Sequence, residues 1–222
     1  MALSSIIPAI NAQTKDEAEN YIRIASGFTN FLHLDVADGK FTTHTTWGNP
    51  KEFRALIEKN GWKDIGFEIH LMVENPEAHV VPWSGMGAKR IIVHAEAVGN
   101  RESIIDQSSR KIPTIMVAIG PESPISLLLP YVSTVEAFQI LAVVPGKAGQ
   151  AFDAQAFDKI RELREKAPRA IIEVDGGVNP KTARMCRFQG ANLFVSASHI
   201  FHHTNPASAF KELEEAVTLR IR

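Results

Sequence analysis

Three stretches of the 222-residue chain end in side chains able to bind a metal or carry a proton. The first reads His33-Leu34-Asp35-Val36 and the second Glu68-Ile69-His70-Leu71-Met72. The third reads Glu173-Val174-Asp175, just before Gly176-Gly177. Residues two apart on a strand point to the same side, so His33 shares a face with Asp35, and His70 with Met72. His33, Asp35, His70 and Asp175 thus offer a shell of two imidazoles and two carboxylates at strand ends. That donor set suits one divalent metal ion of borderline softness, Zn2+ first, with Fe2+, Mn2+ and Co2+ also accommodated. Taken singly, a buried His or Asp at a strand end is as often a hydrogen-bonding group that ties down a loop. Four together, each at the C-terminal end of an expected strand, point to one shared site.

A second constellation is glycine-rich. Pro145-Gly146-Lys147-Ala148-Gly149-Gln150, Asp175-Gly176-Gly177 and Val195-Ser196-Ala197-Ser198 follow three consecutive apolar runs. Glycine lets backbone N–H groups approach an anion closely, and Ser198 adds a hydroxyl donor. One such segment alone is usually a turn. Three in register suggest a phosphate cradle of the kind built by the last loops of parallel barrels.

The elements that must position these groups alternate along the whole chain. Strands are expected near Ser4–Asn11, Phe31–Val36, Gly66–Val73, Arg90–Ala95, Thr114–Ile119, Ala137–Val143, Ala170–Asp175 and Asn192–Ala197. Several read as continuous apolar runs, such as Ile91-Ile92-Val93, as parallel strands covered on both faces do. Helical periodicity is expected over Lys15–Ala25, Pro50–Lys59, Ala154–Lys166, Pro180–Gln189 and Pro206–Leu219. Pro50, Pro76, Pro180 and Pro206 suit first helical turns, where a missing N–H costs little. Strand–helix alternation repeated about eight times implies an α/β fold, a single (β/α)8 TIM barrel over residues 1–222. An open doubly wound sheet is the competing architecture. It usually carries glycine in its first turn, and Asn11-Ala12-Gln13-Thr14 has none.

Composition narrows the function classes. The chain is 45% hydrophobic and 22% charged with a formal net charge of −1, so no global field attracts nucleic acid or an anionic membrane. No apolar run reaches the roughly 18 residues of a membrane span. The start lacks a basic leader, and the single Cys186 builds neither an internal disulfide nor a cysteine metal cluster. A cytoplasmic protein is expected, acting on a small anion held by local donors.

Together the motifs resemble those of the ribulose-phosphate 3-epimerase family, over nearly the whole chain. The carrying residues are His33 to Gly39 (HLDVADG), Glu68 to Val73 (EIHLMV) and Val93 to Ala97 (VHAEA). Pro145-Gly146 with Gly149-Gln150, Val174 to Gly177, and Ser198 with Ile200-Phe201 complete the match. The resemblance implies a barrel of the ribulose-phosphate-binding type and a metal-dependent proton transfer that inverts carbon 3 of a ketose phosphate, ribulose 5-phosphate to xylulose 5-phosphate. By resemblance, His33, Asp35, His70 and Asp175 bind the metal, and Asp35 and Asp175 act as acid and base on opposite faces of the substrate. Substrate and phosphate contacts fall to His70, Met72, Gly146, Lys147, Ala148, Gly149, Gly176, Gly177, Ala197 and Ser198. The implied partners are a small sugar phosphate and further copies of the chain in a homo-oligomer, with no nucleic acid and no membrane.

The chain departs from the family pattern around the pocket. Ala9 stands where a first-strand serine is usual, and Ala37 and Leu141 where methionines are usual. The phosphate loop reads Val144 to Gln150 (VPGKAGQ), and Ala197 replaces the glycine before Ser198. Lys147 is either a phosphate-binding cation or a solvated loop lysine. These changes leave two alternatives: 3-epimerisation of a hexulose 6-phosphate such as allulose 6-phosphate, or a catalytically silent sugar-phosphate-binding barrel. Decarboxylase or aldolase chemistry needs an Asp-x-Lys pair, and the residue two past Asp35 is Ala37. His199 and His203 have helical spacing without an accompanying carboxylate. His94 reads as a packed histidine or one lying behind a ligand, and Trp47 as part of a lid or as helix packing.

Overall fold

The β-branched runs become eight short parallel strands, and the amphipathic stretches between them become the helices that cover the strands. The computed structural model describes residues 5–109 and 113–218. In chain order these hold β1 (Ile6–Ile10), α1 (Lys15–Ala25), β2 (Phe31–Ala37), α2 (Pro50–Asn60), β3 (Gly66–Met72), α3 (Glu77–Ser84), β4 (Arg90–His94) and α4 (Arg101–Ser109). They continue with β5 (Thr114–Ile119), β6 (Ala137–Leu141), α5 (Gln155–Lys166), β7 (Ile171–Asp175), α6 (Pro180–Gln189), β8 (Leu193–Ser196), α7 (Ser198–Phe201) and α8 (Pro206–Thr218). Ser4 and Leu219, at the edges of an expected strand and helix, lie outside the described residues.

The strands pair in sequence order, and β8 pairs with β1, closing the barrel and excluding the open sheet. Strand limits fall within two residues of those expected from the apolar runs. The helix starts follow side-chain chemistry. Thr14 accepts the Glu17 N–H ahead of α1, Asn49 accepts the N–H groups of Lys51 and Glu52, and Asn179 forms a capping box with Thr182. Pro50 and Pro180 occupy first turns as expected. Pro76 does not: it precedes α3 at the N-cap position and offers no side-chain cap, while Pro82 lies inside that helix. Strict alternation also fails once. Between β5 and β6 the chain forms two 3-10 turns, Ile125–Leu127 and Leu129–Tyr131, around Pro124 and Pro130.

Alternate residues of each strand face opposite ways and build two cores. Outward-facing Leu34, Ile69, Ile91, Phe138 and Phe194 meet Ile22, Leu56, Trp83, Ile160 and Leu213 of the helices. Inside the barrel, Ile7, Ala9, Phe31 and Val195 pack on one side, and Ile92, Met116, Ala118 and Ala137 on another. Most of the rest of the interior is polar, with Met72 and Leu141 near its mouth. Register places His33 beside Glu68, Asp35 beside His70, and Asp175 beside Leu141 and Val195.

Candidate active site

At the C-terminal ends of β2, β3 and β7 the interior side chains converge. His33 and His70 are fully buried, and Asp35 and Asp175 are 7% and 9% exposed. His33 Nε2 lies 3.1 Å from Asp35 Oδ1, and His70 Nδ1 lies 3.1 Å from the same oxygen. Asp175 Oδ2 lies 3.4 Å from His70 Nδ1 and 3.9 Å from His33 Nε2. One ligand atom from each of the four residues sits within 4.8 Å of the others. The strand-alternation reading of the sequence therefore brings together the residues it selected.

These residues could hold a metal ion, and their proton inventory fits one. His33 Nδ1 lies 2.8 Å from Glu68 Oε1, an acceptor, so this nitrogen carries the proton and Nε2 is left with its lone pair facing two aspartates. Lone pairs pointing at one another in a buried space need a cation between them. Without a metal ion, protons supply that charge. Burial disfavours a charged His33, yet its bonds to Asp35 and Glu68 outweigh burial and raise its pKa well above the ordinary value. His70 is raised in the same way, against burial, by Asp175 and Asp35. Asp35 is held below the carboxylate range because its bonds to His33 and His70 outweigh its own burial.

Deeper in the barrel lies a charged layer that the sequence reading did not select. Arg90 Nη1 donates to Glu68 Oε2 and, at 3.1 Å, to Glu173 Oε2. Gln139 Nε2 donates to Glu173 Oε1 at 3.1 Å, and the guanidinium lies 5.6 Å from the Phe31 ring centroid. Burial, with the nearby Glu68 charge, pushes Glu173 up to about 8, so it holds its proton at neutral pH. His33, Glu68 and Glu173 are close enough to share a cation of their own. Arg90 already supplies that charge. The spacing rule puts Glu68 and Glu173 on the inner face with His70 and Asp175, but it does not say that Arg90 and Gln139 meet them there.

Above the four donors opens a cleft whose wall includes Asp35, Met72, Asp175, Ala197 and Ser198. Gly146, Lys147, Ala148 and Gly149 line one side and Gly176 and Gly177 another, so the two glycine segments and the β8 end meet as expected. His33 and His70 lie behind this wall. Leu141 and Ala9 are on it, whereas Ala37 is not among its lining residues and donates its backbone N–H to Thr46 Oγ1. Asn11, also on the wall, was missed by the sequence reading. It donates to Asp35 Oδ2 at 2.8 Å and to the Gly146 carbonyl at 3.4 Å, joining the carboxylate to the glycine loop. Gln150 braces that loop by donating to the carbonyls of Val144 and Lys147 at 2.7 and 2.8 Å.

Gly177 has φ +64°, and a Cβ there would lie 2.7 Å from the backbone N and Cα of Phe152. Backbone cannot swing aside as a side-chain tip can. A Gly177→Ala change is expected to cost roughly 2–4 kcal/mol, from the left-handed backbone plus the clash. Urea unfolding checks this; an unchanged midpoint would show that the two loops separate freely.

The remaining histidines and Trp47 resolve simply. His203 lies beyond α7 and bonds to Asn205, and no candidate metal group among the described residues includes it or His199. Trp47 packs 6.2 Å from Phe53 and donates to Glu52 Oε2 at 2.8 Å, which is helix packing. No helix among the described residues is long and apolar enough to cross a membrane.

A closed parallel barrel with polar groups and glycine loops at the strand C-termini defines a TIM-barrel enzyme. The chain belongs to the ribulose-phosphate 3-epimerase family, whose model matches residues 2–201, and it is an isomerase of that type. A ribulose-phosphate 3-epimerase of Schizosaccharomyces pombe is 30% identical over 218 residues, covering 98% of this chain and 95% of the relative. That of Chlamydia muridarum is 34% identical over 203 residues, covering 89% and 86%. Among solved structures, 3-hexulose-6-phosphate synthase from Salmonella typhimurium aligns with a TM-score of 0.71 at 13% identity, over 96% of this chain and 98% of that one. Orotidine 5'-phosphate decarboxylase from Pyrococcus horikoshii aligns at 0.68 and 14%, over 97% and 100%. At such identities these two speak for the fold alone.

Proposed function

We propose that the chain inverts carbon 3 of ribulose 5-phosphate to give xylulose 5-phosphate, with Asp35 and Asp175 as the two proton carriers. The observation that carries this reading is the placement of both carboxylates against the same pair of buried imidazoles, on one cleft wall, from β2 and β7. One carboxylate takes the carbon 3 proton and the other returns a proton to the opposite face, which inverts the centre. His33, Asp35, His70 and Asp175 would hold a divalent ion, zinc by donor type. Once bound, it supplies Lewis-acid stabilisation of the charge that develops as carbon 3 loses its proton. The backbone around Gly146 to Gly149, Gly176, Gly177 and Ser198 receives the phosphate, with Lys147 at the rim and Met72 against the sugar. Asn11 orients Asp35 through Oδ2. The reading includes a cytoplasmic homo-oligomer, for which the exposed Met185 and Phe188 on α6 offer an apolar contact face.

One observation favours a longer substrate. Ala9 lines both the main cleft and a small adjoining cavity with Tyr21, Phe201 and His202, and its methyl takes up less room there than the family's usual serine. A hexulose 6-phosphate such as allulose 6-phosphate is therefore the second reading. Incubating zinc-loaded protein with each ketose phosphate in deuterium oxide separates the cases. Inversion with deuterium at carbon 3 of ribulose 5-phosphate is expected. Inversion of the hexulose phosphate alone would move the assignment to the second reading. No exchange with either, zinc being bound, would leave a sugar-phosphate-binding barrel without turnover.

A further inference from the structure

The proposed reaction makes no use of His94, a fully buried histidine on β4. Its Nε2 lies 2.9 Å from His70 Nε2, and the two rings meet edge to edge and nearly coplanar, with centroids 5.0 Å apart and planes at 20°. Two imidazole nitrogens at that distance share one proton, so one must donate and the other accept. The far side of His94 decides which. Its Nδ1 faces Glu96 Oε2 at 3.3 Å, and Glu96 Oε1 accepts the Gly120 N–H at 2.7 Å, which pins the carboxylate in place. A carboxylate only accepts, so His94 carries its proton on Nδ1 and offers Nε2 as an acceptor. His70 must then donate from Nε2. That leaves the lone pair of His70 on Nδ1, the nitrogen facing Asp35 and Asp175. Phe41 packs against His94, with ring centroids 4.8 Å apart.

We propose that His94 and Glu96 are positioning residues that fix the tautomer of His70, so that its Nδ1 lone pair is presented to the cation site. The inference rests on the metal-site reading above. Without an acceptor at His94, His70 is free to place its proton on Nδ1, where it fills the space between the carboxylates and opposes the ion. Outer partners of metal-binding histidines commonly change metal affinity about 10–100-fold.

The test is zinc affinity, measured by competition with a chromophoric chelator. His94→Phe keeps a ring but removes the acceptor and is expected to weaken zinc binding roughly 10–100-fold. His94→Gln, which restores an oxygen acceptor, is expected to recover most of that loss. Independently of any variant, long-range 1H–15N correlation spectra of the zinc-loaded wild type should show His70 protonated at Nε2 and His94 at Nδ1. Unchanged zinc affinity in a folded His94→Phe protein overturns the inference alone, whereas a proton on His70 Nδ1 in the zinc-loaded protein also removes His70 from the metal site. A wild type that takes up no zinc overturns the metal-site reading and this inference with it.

Discussion

Replacing Asp175 by asparagine is expected to slow inversion at carbon 3 by roughly 10³–10⁴-fold, the upper range of what one general acid or base contributes. The amide is nearly isosteric, and the β7 backbone bond from Ala142 N–H to the Asp175 carbonyl, at 2.7 Å, is untouched, so the barrel should fold. What disappears is the ability to carry a proton at the position of Oδ2, 3.4 Å from His70 Nδ1. Asp35 remains on its own face. Slow deuterium exchange into one epimer, without inversion, is therefore the expected residue of activity. Zinc content measured alongside turnover separates the roles: a zinc-replete, inactive variant supports proton transfer, and zinc loss points to ligation. Wild-type inversion rates in the variant would remove Asp175 from the mechanism.

Replacing Arg90 by methionine should have the largest effect on stability. Methionine fills similar volume but leaves Glu68 and Glu173 without the cation that both of them contact inside the barrel. Breaking a buried pair in this way costs about 3–5 kcal/mol, because the surviving charge stays buried. In a chain of this size that corresponds to a fall in Tm of roughly 10 °C. Glu173 can stay protonated, so the burden falls mainly on Glu68, which keeps its hydrogen bonds with His33 and Glu173 but loses its cation. Adding Glu68→Gln to Arg90→Met should therefore cost less than the sum of the two single changes, as expected for residues in one network. A Tm within about 2 °C of wild type for Arg90→Met would show that water reaches the layer and solvates it.

The barrel's elements were legible from local chemistry. Strand limits followed β-branched runs, Pro50 and Pro180 marked helix starts, and a period of two placed His33 and Asp35 on one face. These features depend on a few neighbouring residues, so a sequence window contains them. The β5–β6 crossover escaped because prolines at 124 and 130 turn an apolar stretch into 3-10 turns.

His33, Asp35, His70 and Asp175 were readable as donors from residue type and strand end alone. Their shared centre was not. It required β8 to close on β1 and a register that sets Asp35 beside His70, and both are properties of pairings far apart in sequence. Periodicity tells which face a side chain occupies, and closure with stagger tells which layer of the barrel it reaches. For that reason Arg90, Gln139 and Glu173 looked like ordinary strand residues until the barrel stacked them beneath His33. For the same reason Asn11 acquired a partner, Asp35, that no spacing rule links to it. The sequence determined which chemistry was present, and only the tertiary structure decided which nitrogen and which oxygen of each residue face the site.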